Sequence, residues 1–384
     1  MQFPVTRFLS AALLATASLT AGAQTLLTQI PLDSFSGDAA AIDVAVNSAT
    51  NRVYVPIQFI DWASASQSVS TYNYFRLLVV NGATNQVVHN VTNFPSGSYY
   101  LAIAIDPIGN FTYVEMGNGP YFAGTQCTVS VVDGRTEEIV KTISLPYNEC
   151  GRMVVDPVTG NVYIRSYDAI LVIGREASGS VEYFPAYEEC CGEPRLAVSP
   201  YVHRLYFTED AHPEGLGLFD TLNDHISYRA IYDTAGVPAT NFVVNPATGH
   251  IFGSNVIYSG DTSYNEVTVF DSSGDLLATI IPPVGDQENI NFTGMDVDPK
   301  TNLTFVFAST FASDGSGTAL YVIDGANNTL LKSTTLTLPG FGPVYGGSVS
   351  LNPDTSKVYV AFNYSRSPTS KVNGSFYLNV YSEQ

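Results

Sequence analysis

Residues 348–361 read SVSLNPDTSKVYVA: an apolar run ending in Asn-Pro, a polar turn, and a second run ending in Val-Tyr-Val-Ala. β-Branched and aromatic residues on both sides of a Pro-containing turn mark a β-hairpin. The same pattern recurs, sometimes loosely, at 44–55, 103–114, 153–164, 196–207, 242–252, 295–306 and 349–360. Seven copies of one unit constrain the fold more than any other feature, because each can bury its faces only against its neighbours. In turns such as 157–161 and 246–250, Pro presets one residue, and Gly160 or Gly249 supplies the positive φ that closes the loop.

A third apolar strand follows each hairpin, usually ending in an acid or amide turn, as at 129–134 and 320–325, and a fourth follows in the first six units. Each unit is therefore a four-stranded antiparallel meander, about 52 residues long over 24–384. The ends are the most discriminating clue. The seventh unit has its third strand at 375–381 and no fourth, while 25–31 looks like a fourth strand with no unit before it. The expected fold is all-β: a seven-bladed β-propeller whose N-terminal strand completes the last blade and closes the ring. Closure removes exposed edges, whereas a solenoid would need capping repeats.

The residues Val53-Tyr54-Val55, Tyr113-Val114, Val358-Tyr359-Val360-Ala361 and the block 322–329 (VIDGANNT) make the chain resemble the YVTN-repeat β-propellers, which include YncE-like proteins. The resemblance covers 24–384. It implies the propeller fold and brings no shared catalytic residue with it. Pro56 and Glu115, which follow the Tyr-Val pairs, depart from the pattern, as does Gly174 in place of Asp-Gly.

The first 23 residues stand apart. Arg7 is their only basic side chain, 8–19 is apolar and small, and Ala21-Gly22-Ala23 fits a cleavage site. This is the pattern of a secretory signal peptide, giving an extracytoplasmic, periplasmic or secreted protein made of residues 24–384. The chain carries 16 Lys and Arg against 35 Asp and Glu, net −19; without Arg7 it has 15 against 35, net −20. Such a surface repels phosphate backbones and anionic lipid, so neither nucleic-acid binding nor membrane insertion is expected.

In an oxidising compartment the four cysteines are expected to form disulfides. Cys127 precedes the third strand of the second unit, Cys150 follows its fourth, and Cys190 with Cys191 lies in the next equivalent crossing. All three connections emerge on one rim. Of the three connectivities, Cys127 with Cys150 is favoured, leaving Cys190 and Cys191 as a vicinal pair stapling the loops.

Motifs for chemistry are missing: no G-x-S-x-G, no H-E-x-x-H, no P-loop and no Cys-x-x-Cys. The five His are scattered, and the acidic turn 271–275 lacks the distal Glu of a calcium loop, so no metal, cofactor or catalytic residue is assigned. The residues that enter the innermost strands should ring one channel mouth: Asp43, Ala102, Arg152, Arg195, Asn241, Gly294 and Ser348, with Arg165 and Glu115 pointing toward the same rim. Guanidinium groups at a concave mouth suit a carboxylate, sulfate or sugar acid, or else pair with acids such as Glu115, Glu149 and Glu193 to hold the loops. Asp296, on an innermost strand where other units carry Ala, Val or Ser, is a further candidate.

The preferred function is a non-catalytic binding or scaffold propeller for a small anionic ligand or a protein or cell-surface partner. Two alternatives stand beside it. One is a lactonase- or lyase-type enzyme using Glu115, Asp43, Asp296 and Asn241 or a divalent metal. The other is a cell-surface assembly module built on the insertions 57–74 and 309–317.

Overall fold

The computed structural model describes residues 24–37, 39–60, 74–95, 98–118, 126–146, 150–166, 168–175, 180–186, 195–209, 215–223, 225–230, 241–259, 262–282, 290–310, 318–336, 338, 344–365 and 372–383. The expected signal peptide, Cys190, Cys191, Glu149, Glu193 and most of the two insertions lie outside them. The described residues form seven antiparallel sheets, each a meander of four strands, with the innermost strand of the first blade broken in two. In the second blade, for example, the strands from the axis outward are Ser98–Asp106, Phe111–Asn118, Gln126–Asp133 and Glu138–Ser144. No helix among the described residues is long and apolar enough to cross a membrane.

The ring closes as the chain ends require. Leu26–Gly37 pairs antiparallel with Val372–Ser382, from Leu26 opposite Tyr381 to Gly37 opposite Val372, and so supplies the outermost strand of the seventh blade. The pairing runs six residues past the expected 25–31. Each innermost strand contacts those of both neighbouring blades, and Val344–Asn352 of the seventh touches Ala45–Asn47 of the first.

The core is correspondingly divided. Seven apolar clusters occupy the seven gaps between successive blades, including the gap between the seventh and first. A middle strand is covered on both faces, so Val162–Arg165 and Ala169–Ile173 are buried at every position. An outermost strand is covered on one face only, and Glu138–Ser144 alternates between exposed and sheltered side chains. This explains why the second and third strands read as unbroken apolar runs and the fourth does not.

The turns between first and second strands, five of them Asn-Pro or Asp-Pro, form the rim opposite the candidate site. Each of the seven turns between first and second strands holds one residue at positive φ: Asn51, Asn110, Gly160, His203, Gly249, Asn302 and Ser356. The residue preceding each turn is buried, and most of these side chains accept from backbone N–H groups two or three residues on, as Asp106 does from Ile108 and Asn352 from Asp354. Their other ends link blades. Asn47 donates to Asn110, Asn245 to Asn302, and Asn352 to Asn51, while Arg175 of the third blade donates twice to Asp106 of the second. The 271–275 segment is the expected turn, with Asp271 accepting from the N–H groups of Ser273 and Asp275.

Candidate ligand site at the channel mouth

At the other rim the innermost strands are irregular, and sequence explains where. Pro56 has no N–H, so the Asp43–Pro56 pair keeps only the bond from Asp43 N to the Pro56 carbonyl, 3.2 Å. The first innermost strand therefore divides into Ala39–Ile42 and Ala45–Asn47 around Asp43. At the same level the pairing shifts between Tyr100 and Ala102, Phe292 and Gly294, and Val344 and Gly346. Bulges at a rim bend the strand and re-aim side chains.

The result is a cavity of about 210 Å³ whose wall includes Asp43, Ala102, Arg152, Arg195 and Asn241 from five successive blades. Its apolar lining comes from the next residue along each strand, among them Met153, Leu196 and Phe242, with Met295 from the sixth blade. Gly294 and Ser348 do not line it. A Cβ built on Gly294 would sit 2.8 Å from the Ser348 Cα, so these two residues close the ring backbone to backbone. The cavity is thus one-sided, walled by six of the seven blades.

The polar groups are held in place. Asp43 accepts from its neighbour Val44 N and from Tyr100 Oη, both at 2.8 Å. Burial, reinforced by the Asp43 carboxylate, holds the Tyr100 phenol well above its usual pKa, so it stays a donor. Asn241 donates through Nδ2 to the Phe292 carbonyl at 2.6 Å, and Arg152 reaches the Leu101 carbonyl at 3.5 Å. The Arg195 N–H donates to Thr208 Oγ1 at 3.1 Å. Tyr100 was not visible as a site residue in sequence; its only signal is its position just before the bulge.

Three of the candidates stand elsewhere. Arg165 is fully buried between the third and fourth blades, its guanidinium 5.3 Å from the Phe207 ring centre, donating to the Ser166 and Ala169 carbonyls. Asp296 ties the sixth blade to the seventh, accepting from Leu351 N at 2.8 Å and Ser350 Oγ at 3.2 Å; burial pushes its pKa up to about 6. Glu115 is buried beneath the mouth and accepts from Gly151 N at 2.9 Å.

Burial also pushes the Glu115 carboxyl up to about 8, against the opposing pull of the Gly151 N–H and the Arg152 charge. At neutral pH it is therefore mostly uncharged. The charges on the cavity wall are then two guanidinium groups against one Asp43 carboxylate, a local positive excess in a chain of net −19.

The expected Cys127–Cys150 disulfide is present, with Cα atoms 5.5 Å apart. It joins the start of the third strand of blade two to the crossing into blade three. Glu115 and the two sulfurs lie within 4.8 Å of one another. With the sulfurs bonded to each other, neither is a thiolate, and the trio does not have the donors of a metal centre.

No protein-family model matches the chain, and no curated protein matches it. Among solved structures the chain is similar to Kuenenia stuttgartiensis hydrazine synthase. The two are 17% identical, with 83% of this chain and 91% of that one covered and a TM-score of 0.57. At such low identity the likeness shows the fold alone.

Proposed function

We propose that this chain is a non-catalytic binding propeller of the YVTN-repeat, YncE-like kind that works outside the cytoplasm once residues 1–23 are removed. Its ligand is a small anion, a carboxylate or sugar acid, held at the channel mouth. The observation that carries this reading is the placement of Arg152 and Arg195, from successive blades, on the mostly polar wall of one cavity. Guanidinium groups match a carboxylate in two-pronged fashion, and the mostly polar wall suits a small, hydroxyl-bearing anion. The volume of about 210 Å³ lies below the range of drug-sized pockets, which favours a ligand of one small ring over an oligosaccharide.

The enzyme alternative draws on Asp43, Asn241, Glu115 and Asp296. Of these, Asp43 and Asn241 line the cavity, and Asp43 already accepts two hydrogen bonds, which supports binding over acid–base work.

Calorimetry and thermal shift with benzoate, glucuronate and sulfate at millimolar concentration test the proposal. At least one organic anion is expected to bind, with R152A and R195A each weakening it by about tenfold or more, which is about 1.4 kcal/mol. R152K should recover only part of the loss, because Lys lacks the planar fork. Failure of all three anions to bind, or binding indifferent to both arginines, would overturn it.

A further inference from the structure

Glu115 and the Cys127–Cys150 disulfide form a second cluster, one strand outward from the channel mouth. The carboxyl is fully buried, and only one of its oxygens is satisfied: Oε1 accepts from Gly151 N, whereas Oε2 has no hydrogen-bond partner. An acid shut away from water with an oxygen unmet is unfavourable, and a disulfide that merely staples two loops gains nothing from it. The two sulfurs are also unequal. Cys127 is wholly buried in its strand, while Cys150 is only partly buried in the crossing, two residues before the mouth residue Arg152.

The geometry points to a thiol–disulfide exchange site in which Cys150 is the sulfur attacked from solution and Glu115 is the proton donor and acceptor for Cys127. The proposal is independent of the anion-binding reading. In the reducing direction a small external thiolate attacks Cys150 Sγ. A bond forms between them, the Cys127–Cys150 bond breaks, and its electron pair leaves on Cys127 Sγ. A buried thiolate is poorly solvated, so Glu115 transfers its proton, giving a Cys127 thiol and a Glu115 carboxylate. A second external thiolate attacks the external sulfur of the mixed disulfide. That releases Cys150 as a thiolate, which takes a proton from water, as does Glu115. The external thiols are oxidised to their disulfide, and the protein gains two electrons and two protons. In reverse, the Glu115 carboxylate removes the Cys127 proton as that sulfur attacks the mixed disulfide at Cys150.

Charged and titratable neighbours interact with Glu115. Arg152 favours its ionised form, while Glu115 in turn helps to raise the nearby Tyr100 phenol. With its pKa pushed up to about 8 by burial, Glu115 holds its proton at neutral pH and exchanges it in the range where thiols react.

The test treats the folded full chain with 2-mercaptoethanol, quenches by alkylation, and follows the Cys127–Cys150 pair by peptide mass mapping. Reduction is expected without unfolding, at a rate that, corrected for thiolate concentration, falls as pH passes about 8. E115Q keeps an acceptor for Gly151 N but has no transferable proton; it should react about 100-fold more slowly and lose the pH inflection. E115D should recover part of the rate and the inflection. The proposal is overturned if E115Q reacts like the parent chain, or if the native disulfide resists the thiol until the protein unfolds. Should E115Q fail to fold, the pH profile of the parent chain decides: an inflection supports the proposal and a flat profile rejects it.

Discussion

Arg152 and Arg165 stand directly opposite each other on adjacent strands of the third blade, yet one guanidinium lines the channel mouth and the other is fully buried over the Phe207 ring. Like charges in opposed positions repel, so the pair persists only because each is drawn to different partners. Arg152 reaches toward Leu101 in blade two, and Arg165 toward the Ser166 and Ala169 carbonyls.

The two arginines should therefore behave oppositely on substitution. R165A leaves a buried void and removes the donors from two carbonyls, with an expected loss of about 3 kcal/mol of stability. R165M, which refills the space, should cost less. R152A should stay within about 0.5 kcal/mol while weakening anion binding. Urea denaturation of the three variants checks the ranking, and equal losses at both positions would contradict the placement.

Ring closure yields a second expectation. Ile30 is 8% exposed and faces Leu378 across the junction of chain ends, whereas Leu27 three residues earlier is 49% exposed. I30A is expected to cost about 2–4 kcal/mol and L27A almost nothing, as measured by denaturation midpoint. A chain lacking residues 24–37 loses a whole strand and its share of the cluster between blades seven and one, and should melt with reduced cooperativity.

Gly151 is pressed against its own blade: a Cβ there would lie 1.7 Å from the Arg165 carbonyl oxygen. Backbone cannot yield to a methyl group as a side-chain tip can. G151A should cost about 1–3 kcal/mol and displace the N–H that Glu115 accepts, which thermal denaturation and the pH profile of thiol reduction would both register.

Three buried acids set the pH dependence. Burial pushes Asp296 to about 6, Glu383 to about 7 with help from the adjacent Asp298, and Glu115 to about 8. Between its unfolded and folded pKa values each acid binds more protons in the native state. Stability from these groups is therefore greatest near pH 4 and declines as pH rises to about 8. At lower pH the trend reverses, since side-chain bonds from Arg135 and Asn223 hold Asp133 and Asp220 below the usual carboxylate range. Melting temperatures from pH 3 to 9, a range bracketing these transitions, should trace this rise and fall. E383Q should flatten the slope up to about pH 7, and E115Q the part up to about 8.

The repeat period, the hairpin turns and the unmatched strands at the two ends were enough to specify a closed ring of seven blades, because each is a local pattern with one way to bury its faces. The Cys127–Cys150 pairing was legible for the same reason: once the rims are assigned, two connections of one blade must lie together. Asp43, Arg152, Arg195 and Asn241 were placed correctly at the mouth by register alone. Tertiary structure decided the rest. The flexible three-methylene reach of Arg165 let it turn inward to Phe207, a blade away. Asp296 was drawn into a bond between blades by the N–H of Leu351, 55 residues distant. The single oxygen left unmet on Glu115 beside a disulfide depends on packing between blades two and three. Local pattern dictates which strands form and in what order, because hydrogen-bond ladders and alternation act over a few residues. The direction of a long charged side chain depends on what the neighbouring blade offers it, and that partner is far away in the chain.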